Sequence, residues 1–178
     1  MKTKIFTSLF LLMILGTNLS AQETGSSEKF GNTLNLGLGL GYYGYVGHSI
    51  PVLHLNYEFG VARNFTLAPF ISFYSYRRVK SGYYYHETVI PVGAKGTYYF
   101  DELLKANSKW DFYATGSLGF AIVNSRWDDG YNGDYNEYRR SSPLYLDIHV
   151  GTEYHVNNRI GVFLDLSTGV STIGLAIH

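Results

Sequence analysis

Long stretches of this sequence alternate between apolar residues and small or polar ones with a period of two. In the first stretch, 33–42, leucine occupies every even position from 34 to 40, and Asn or Gly occupies the odd positions between them. Because successive side chains of a strand point to opposite faces, this period predicts a β-strand with one apolar face. Comparable runs cover 33–42, 53–59, 66–73, 90–100, 111–122, 144–154, 160–167 and 173–178. Eight alternating runs predict an all-β fold, a closed antiparallel barrel of up-and-down topology.

The lengths of these runs indicate a barrel that crosses a membrane. Several runs reach nine residues or more, as a tilted transmembrane strand requires, whereas strands of globular proteins average about 5–6 residues. If the first strand starts on the periplasmic side, the connections on that side are 61–64, 101–109 with one helical turn at Glu102 to Ala106, and 157–159. The connections on the outer side are 44–50, 77–86, 124–143 and a tight turn near Thr168-Gly169.

The make-up of the polar face decides which face is inside. A soluble, lipocalin-like barrel shows the same alternation, but its polar face meets water and should be rich in charged residues. Here that face is mostly Gly, Ala, Ser, Thr and Asn, with Lys95 as its one basic residue, which favours a narrow, packed lumen. The residues predicted to form a structural polar network in the lumen are His54, Glu58, Lys95, Asp111, Asp147, His149, Glu153 and Asp165.

Burial of carboxylates in a lumen is costly unless they are paired. We therefore expect Lys95 to neutralise one or more of them, and the hydroxyls of Tyr99, Tyr113 and Tyr145 to satisfy others. Aromatic residues make up 17% of the chain. Those expected at the strand ends, as girdles at the membrane interface, are Tyr42, Tyr57, Phe59, Tyr98, Phe100, Phe112 and Tyr154.

The N-terminus has the three-part layout of a secretory signal peptide. Lys2 and Lys4 precede an apolar run, 5–16, that is too short to cross a bilayer as a helix, and a short polar stretch ends at Ala21. We predict cleavage near Ala21, a short lead at 22–31 and a barrel domain at 32–178. The chain has no cysteine and no net charge, which excludes disulfide stapling and a nucleic-acid partner.

Two segments and the signal ending Ser20-Ala21-Gln22-Glu23 resemble the outer-membrane β-barrel domain family, the small OmpX-like barrels. The segments are Ile90–Phe100 and Val162–Ser171, and the match covers about residues 30–178. The resemblance implies residence in the outer membrane of a Gram-negative cell. One departure is the ending Ile177-His178, where many such barrels carry an aromatic residue; it predicts a variant assembly signal or a shortened terminus.

Motifs that could carry chemistry are weak. The segment 39–44 has the G-x-G-x-x-G spelling of a dinucleotide turn but lies in a strand, with no helix after it. His149 and His155, six residues apart on one strand, are about 20 Å apart and cannot share one metal ion. The acidic segment 128–139 fails the EF-hand pattern, because Gly130 stands at the third position and Arg139 at the twelfth. We expect no cofactor and no metal.

The sequence favours a non-enzymatic scaffold that displays surface loops, with a role in adhesion or envelope integrity. The expected partners are outer-membrane lipid and lipopolysaccharide, and an unidentified surface partner of the loops; we expect a monomer. A lipid-modifying enzyme is the alternative, although no Ser-His-carboxylate set is evident near one end of the strands. The loop residues of types common in contact hot spots are Arg126, Tyr131, Tyr135, Tyr138, Arg139 and Arg140.

Overall fold

Eight strands form one closed barrel, and they follow one another around it in chain order. The computed structural model describes residues 32–41, 50–80, 83–127 and 144–178. The strands are β1 (Thr33–Gly41), β2 (Ile50–Ala62), β3 (Phe65–Lys80), β4 (Tyr83–Tyr99), β5 (Trp110–Trp127), β6 (Leu144–Asn157), β7 (Ile160–Ser167) and β8 (Val170–Ile177), with a one-turn helix α1 (Asp101–Leu104). Every neighbouring pair is antiparallel, and β1 pairs with β8, so the predicted fold class is confirmed.

The two ends of the barrel differ in their connections. At one end, called the turn end, 63–64 and 158–159 are tight turns, and α1 lies in the connection 100–109. The opposite end, called the loop end, carries the connections 42–49, 81–82, 128–143 and 168–169. Asn64 takes a left-handed conformation with φ of 61°, and the side chain of Asn157 accepts hydrogen bonds from the N–H groups of Arg159 and Ile160. Asparagine suits both positions, because its side chain stabilises turns.

Three predicted connections are shorter than expected or shifted. The predicted outer loop 77–86 is wrong, since β3 continues to Lys80 and β4 begins at Tyr83. Similarly, β5 continues to Trp127, into the predicted loop 124–143. The helical turn spans Asp101–Leu104 and so begins one residue earlier than predicted. Cross-strand pairing overrides the local sequence here, because Arg77 pairs with His86 and His86 with Arg126 along a continuous ladder.

The outer surface of the barrel is an apolar belt. Side chains that point outward remain exposed although they are aliphatic or aromatic, for example Leu38 at 62%, Phe120 at 64% and Ile148 at 69%. Each strand contributes to this belt, which runs around the whole circumference. Soluble monomers rarely expose contiguous apolar patches larger than a few hundred Å². The belt therefore needs an apolar environment around it. No helix within the described residues is long and apolar enough to cross a membrane.

The inward glycines make room for large aromatic side chains. Phe70, Gly93, Gly119 and Tyr145 are successive register neighbours on β3 to β6, and the rings of Phe70 and Tyr145 meet across the two glycines at 5.5 Å between centroids. On the other side of the lumen, the ring of Phe163 lies 2.7 Å from the place that a Cβ of Gly174 would occupy. Small and large residues therefore alternate around the interior and fill it.

A closed barrel has no edge strand from which to unravel, so it should resist detergent until it is heated. We predict that the refolded chain without residues 1–21 migrates faster on an electrophoresis gel unheated than boiled. Identical migration of both samples, together with a loss of strand circular dichroism, would contradict the closed barrel.

Candidate functional site: the polar lumen and its turn-end mouth

All eight residues proposed for the lumen network point into the barrel. Each is buried, with 8% or less of its surface exposed. They lie at several levels along the barrel axis, and some are joined directly, as Lys95, Asp165 and His149 are. The charged residue Glu87, inward on the loop-end part of β4, is buried too. Glu87 was not among the predicted lumen residues, because it lies between the predicted loop 77–86 and the predicted strand 90–100, whereas β4 begins at Tyr83.

Lys95 forms one ion pair, with Asp165. Its Nζ lies 3.2 Å from Oδ2 of Asp165, and both side chains are buried. The other carboxylate oxygen of Asp165 lies 3.0 Å from Nδ1 of His149. A single cation and one imidazole therefore share this carboxylate, which lies in the middle of the lumen.

Ser117, His149 and Asp165 have the connectivity of a catalytic triad. Nε2 of His149 lies 3.0 Å from the Ser117 hydroxyl, and its Nδ1 lies 3.0 Å from Asp165. These three residues lie inside the lumen and are buried, away from the strand ends near which no such set was evident in the sequence. The backbone of Ser117 is paired with Lys95 and Asp147 in the sheet, so it does not form an oxyanion hole. This arrangement satisfies buried polar groups.

Glu58 accepts hydrogen bonds nearer the turn end of the lumen. Its carboxylate accepts hydrogen bonds from Asn35 at 3.0 Å, Thr66 at 2.9 Å and the hydroxyl of Tyr99 at 2.7 Å. The ring of Tyr113 contacts that of Tyr99, with 5.7 Å between centroids. Three donors compensate for the burial of this carboxylate without a cation.

Asp147 is satisfied in the same way near the loop end. Four donors reach its carboxylate: the hydroxyls of Tyr145, Ser167 and Thr168, and the backbone N–H of Val170, all within 2.8–3.0 Å. Ser167, Thr168 and Val170 lie in or beside the turn between β7 and β8, whereas Tyr145 lies on β6 with Asp147. Asp147 thus ties that turn to β6.

His54 belongs to a neutral part of the network. Its Nδ1 lies 2.7 Å from the Ser72 hydroxyl and its Nε2 lies 3.2 Å from the amide nitrogen of Asn56. The ring also contacts Phe70, with 5.9 Å between centroids. Serine and asparagine side chains can each donate or accept, so the imidazole is satisfied without a charged partner.

Two histidines, His155 and His178, lie close together at the turn-end mouth of the lumen. Nε2 of His155 lies 2.6 Å from Asp111, and Nε2 of His178 lies 2.7 Å from Glu153. The two imidazole rings are 5.0 Å apart. The hydrogen bond to Glu153 raises the pKa of the His178 imidazole, an effect that partial burial opposes. Sequence spacing concealed this cluster, because His155 and His178 lie on β6 and immediately after β8 and meet only in the folded barrel.

The loop-end half of the lumen is closed by apolar side chains. They form one cluster of buried residues, namely Val52, Tyr74, Tyr76, Val89, Ala121 and Val170. Below it, a void of about 10 Å³ lies among polar residues that include Glu58, Lys95 and Asp165, which is space for about one water molecule. Along the described part of the barrel the lumen is filled by side chains, so the arrangement suits a scaffold better than a pore.

Of the six loop residues proposed for surface contacts, Arg126 lies within the described residues. It is exposed at the loop end of β5. Tyr131, Tyr135, Tyr138, Arg139 and Arg140 lie outside the described residues, as do the proposed signal segment and Tyr42. Of the other expected girdle residues, Tyr57, Phe59 and Tyr98 are exposed near the turn end, while Phe100, Phe112 and Tyr154 are partly buried.

The fold defines a small, closed, up-and-down eight-stranded barrel with an apolar outside and a polar inside. Solved structures of this class are similar to it. Neisserial surface protein A matches with a TM-score of 0.52 at 14% identity, over 82% of this chain and 94% of that protein. Because identities this low show the fold alone, the resemblance to small outer-membrane barrels is confirmed at the level of the fold.

Two further structures are similar at lower scores. The N-terminal barrel domain of Pseudomonas aeruginosa OprF gives a TM-score of 0.44 at 12% identity, over 83% of this chain and 96% of that domain. Ail, the attachment invasion locus protein of Yersinia pestis, gives 0.45 at 10% identity, over 81% and 92%, in a complex with the heparin analogue sucrose octasulfate. No family model and no curated protein sequence matches this chain.

Replacement of Lys95 by Met should destabilise the barrel. It leaves the buried Asp165 carboxylate without its cation, and loss of one partner of a buried ion pair costs about 3–5 kcal/mol. Urea unfolding of the refolded chain, followed by circular dichroism, measures this change in the free energy of unfolding. Lys109→Met, at an exposed position in the turn-end connection, is the matched control and should have little effect. Equal midpoints for the two variants would contradict a structural role for the pair.

Proposed function

We propose that this chain is a non-enzymatic outer-membrane protein, a rigid barrel that holds its loop end toward the cell exterior. The observation that carries the proposal is the inversion of polarity: charged side chains are buried inside while the apolar belt covers the outside. Soluble barrels have the opposite arrangement, because water surrounds them. A bilayer is the environment in which this arrangement is stable.

The outward face changes from apolar to polar at one level across three strands. Ser75, Thr88 and Asn124 are register neighbours on β3, β4 and β5, and the hydroxyl of Thr88 donates to that of Ser75 at 3.3 Å. The outward apolar residues next to them, on the belt side, are Phe73, Ile90 and Ile122. A level boundary of this kind is expected where hydrocarbon gives way to head groups.

A basic row lies one step further toward the loop end. Arg77, His86 and Arg126 are register neighbours on the same three strands and share the outward face. The guanidinium of Arg77 also lies 3.5 Å from the ring centroid of Tyr84. Arginine binds phosphate with parallel hydrogen bonds. The row therefore supports the proposal that the barrel contacts the phosphates of lipopolysaccharide, directly above the acyl chains.

The absence of cysteine allows a direct test of the membrane orientation, because each introduced Cys is a unique probe. We predict that Cys at outward positions of β6 resists a charged aqueous thiol reagent and reacts with a lipid-soluble one, since thiolate formation is disfavoured among acyl chains. The outward positions are Leu146, Ile148 and Val150. The inward positions, Asp147, His149 and Gly151, serve as controls whose labelling depends on water in the lumen. Fast aqueous labelling of the outward positions in liposomes would contradict the proposal.

The lipopolysaccharide contact is tested by removal of the two arginines. We predict that Arg77→Ala with Arg126→Ala weakens binding of the detergent-refolded barrel to lipopolysaccharide about fivefold for each arginine, as expected for a basic side chain at an anionic surface. Arg159→Ala, in the turn at the opposite end, is the control and should leave binding unchanged. If the double variant, the control and the wild type bind equally, the basic row has no such partner, and the membrane orientation is judged separately by the cysteine probes.

A further inference from the structure

We infer that the turn-end mouth of the barrel is a zinc site formed by Glu153, His155 and His178. One ligand atom from each of these side chains lies within 4.8 Å of the other two. Two imidazole nitrogens and one carboxylate oxygen are a ligand set that zinc commonly uses. The site lies outside the loop-end surface considered above and does not depend on the proposed function.

The distances between the three ligand atoms lie on either side of the distance expected between two ligands of a tetrahedral zinc ion. Oε1 of Glu153 lies 2.7 Å from Nε2 of His178 and 3.8 Å from Nδ1 of His155. Zinc–ligand bonds of about 2.0–2.2 Å place tetrahedral ligand atoms roughly 3.3 Å apart. The three donors therefore need small side-chain rotations to surround one ion. The side chains of His155 and His178 are 15% and 18% exposed, which places them at the border between the lumen and solvent.

Each ligand is already oriented by a neighbour, as is usual around metal centres. His155 directs Nδ1 toward Glu153 while its Nε2 lies 2.6 Å from Asp111, the carboxylate–histidine arrangement that fixes the ring and its tautomer. His178 directs Nε2 toward Glu153 while its Nδ1 lies 3.0 Å from the Thr33 hydroxyl. A Cβ at Gly161 would overlap the Glu153 carboxylate, so glycine at this position leaves the space that the carboxylate occupies.

The donor chemistry selects the class of ion. Calcium and magnesium prefer sites made of oxygen ligands, whereas imidazole suits zinc and neighbouring transition metals. Three protein ligands leave one tetrahedral position for water. An ion here would link β6 to the residue that follows β8, and through Asp111 and Thr33 to β5 and β1.

Zinc binding is measured by isothermal titration of the detergent-refolded chain without an affinity tag, since a histidine tag would itself bind zinc. Two ligand variants each remove one donor while they keep the other hydrogen bond of that side chain. His155→Gln retains a donor for Asp111, and His178→Asn retains a polar group for Thr33. His86→Gln, on β4 at the loop end of the barrel and so at the end opposite the proposed site, is the matched control. The heat-dependent shift in gel migration verifies that each variant is folded.

We expect one zinc ion per wild-type chain and per His86→Gln chain, and no saturable binding to either ligand variant. Asp111→Asn should still bind zinc, about 10–100-fold more weakly, because it loses the partner that orients His155. Wild-type binding that both ligand variants retain, or no saturable wild-type binding, would overturn the site. If a ligand variant does not fold, anomalous scattering from zinc-soaked wild-type crystals decides: a peak between the three side chains supports the site, and its absence overturns it.

Discussion

The pairing of β1 with β8 is the interaction on which the rest of this structure depends. Their register runs from Leu34 opposite Ile177 to Gly41 opposite Val170, and it closes the eight-stranded sheet into a barrel. Hydrocarbon offers no hydrogen bonds to backbone N–H and C=O groups, so an open sheet would not be stable within a bilayer. Closure therefore allows the outward side chains to be apolar, and it also creates the enclosed space in which the polar ones must be satisfied.

Inside this space, hydrogen bonds as well as ion pairs compensate for the burial of carboxylates. One ion pair, Lys95 with Asp165, lies in the middle of the lumen, while Glu58 and Asp147 are surrounded by hydroxyl, amide and backbone donors. Three or four donors compensate for the burial of each of these carboxylates without a cation. Tyrosine and threonine hydroxyls thus stabilise Glu58 and Asp147, and the aromatic rings fill the space above the glycines.

The two ends of the barrel have different chemistry. At the loop end, the long strands β3, β4 and β5 extend past the apolar belt and carry a polar row followed by a basic row on the outward face. At the turn end, histidines and carboxylates from β5, β6 and the residue after β8 meet in the mouth of the lumen. The first arrangement suits contact with anionic lipid, and the second suits a metal ion. The basic row lies beyond the apolar belt, and the histidine side chains at the turn-end mouth are partly exposed.

The period-two alternation determined the eight strands and which residues share a face, because side-chain direction in a strand follows from position in the chain. Which face is inside followed from composition, since the polar face is mostly Gly, Ala, Ser, Thr and Asn rather than charged residues. The tight turn near Thr168-Gly169 was predictable from the alternation, which stops on either side of it. The tertiary structure decided how far the strands extend and which distant residues meet. Strand pairing extended β3 and β4 into the expected loop 77–86, and barrel closure brought His178 to Glu153 and His155, because contacts between strands distant in the sequence depend on pairing and closure as well as on the local pattern.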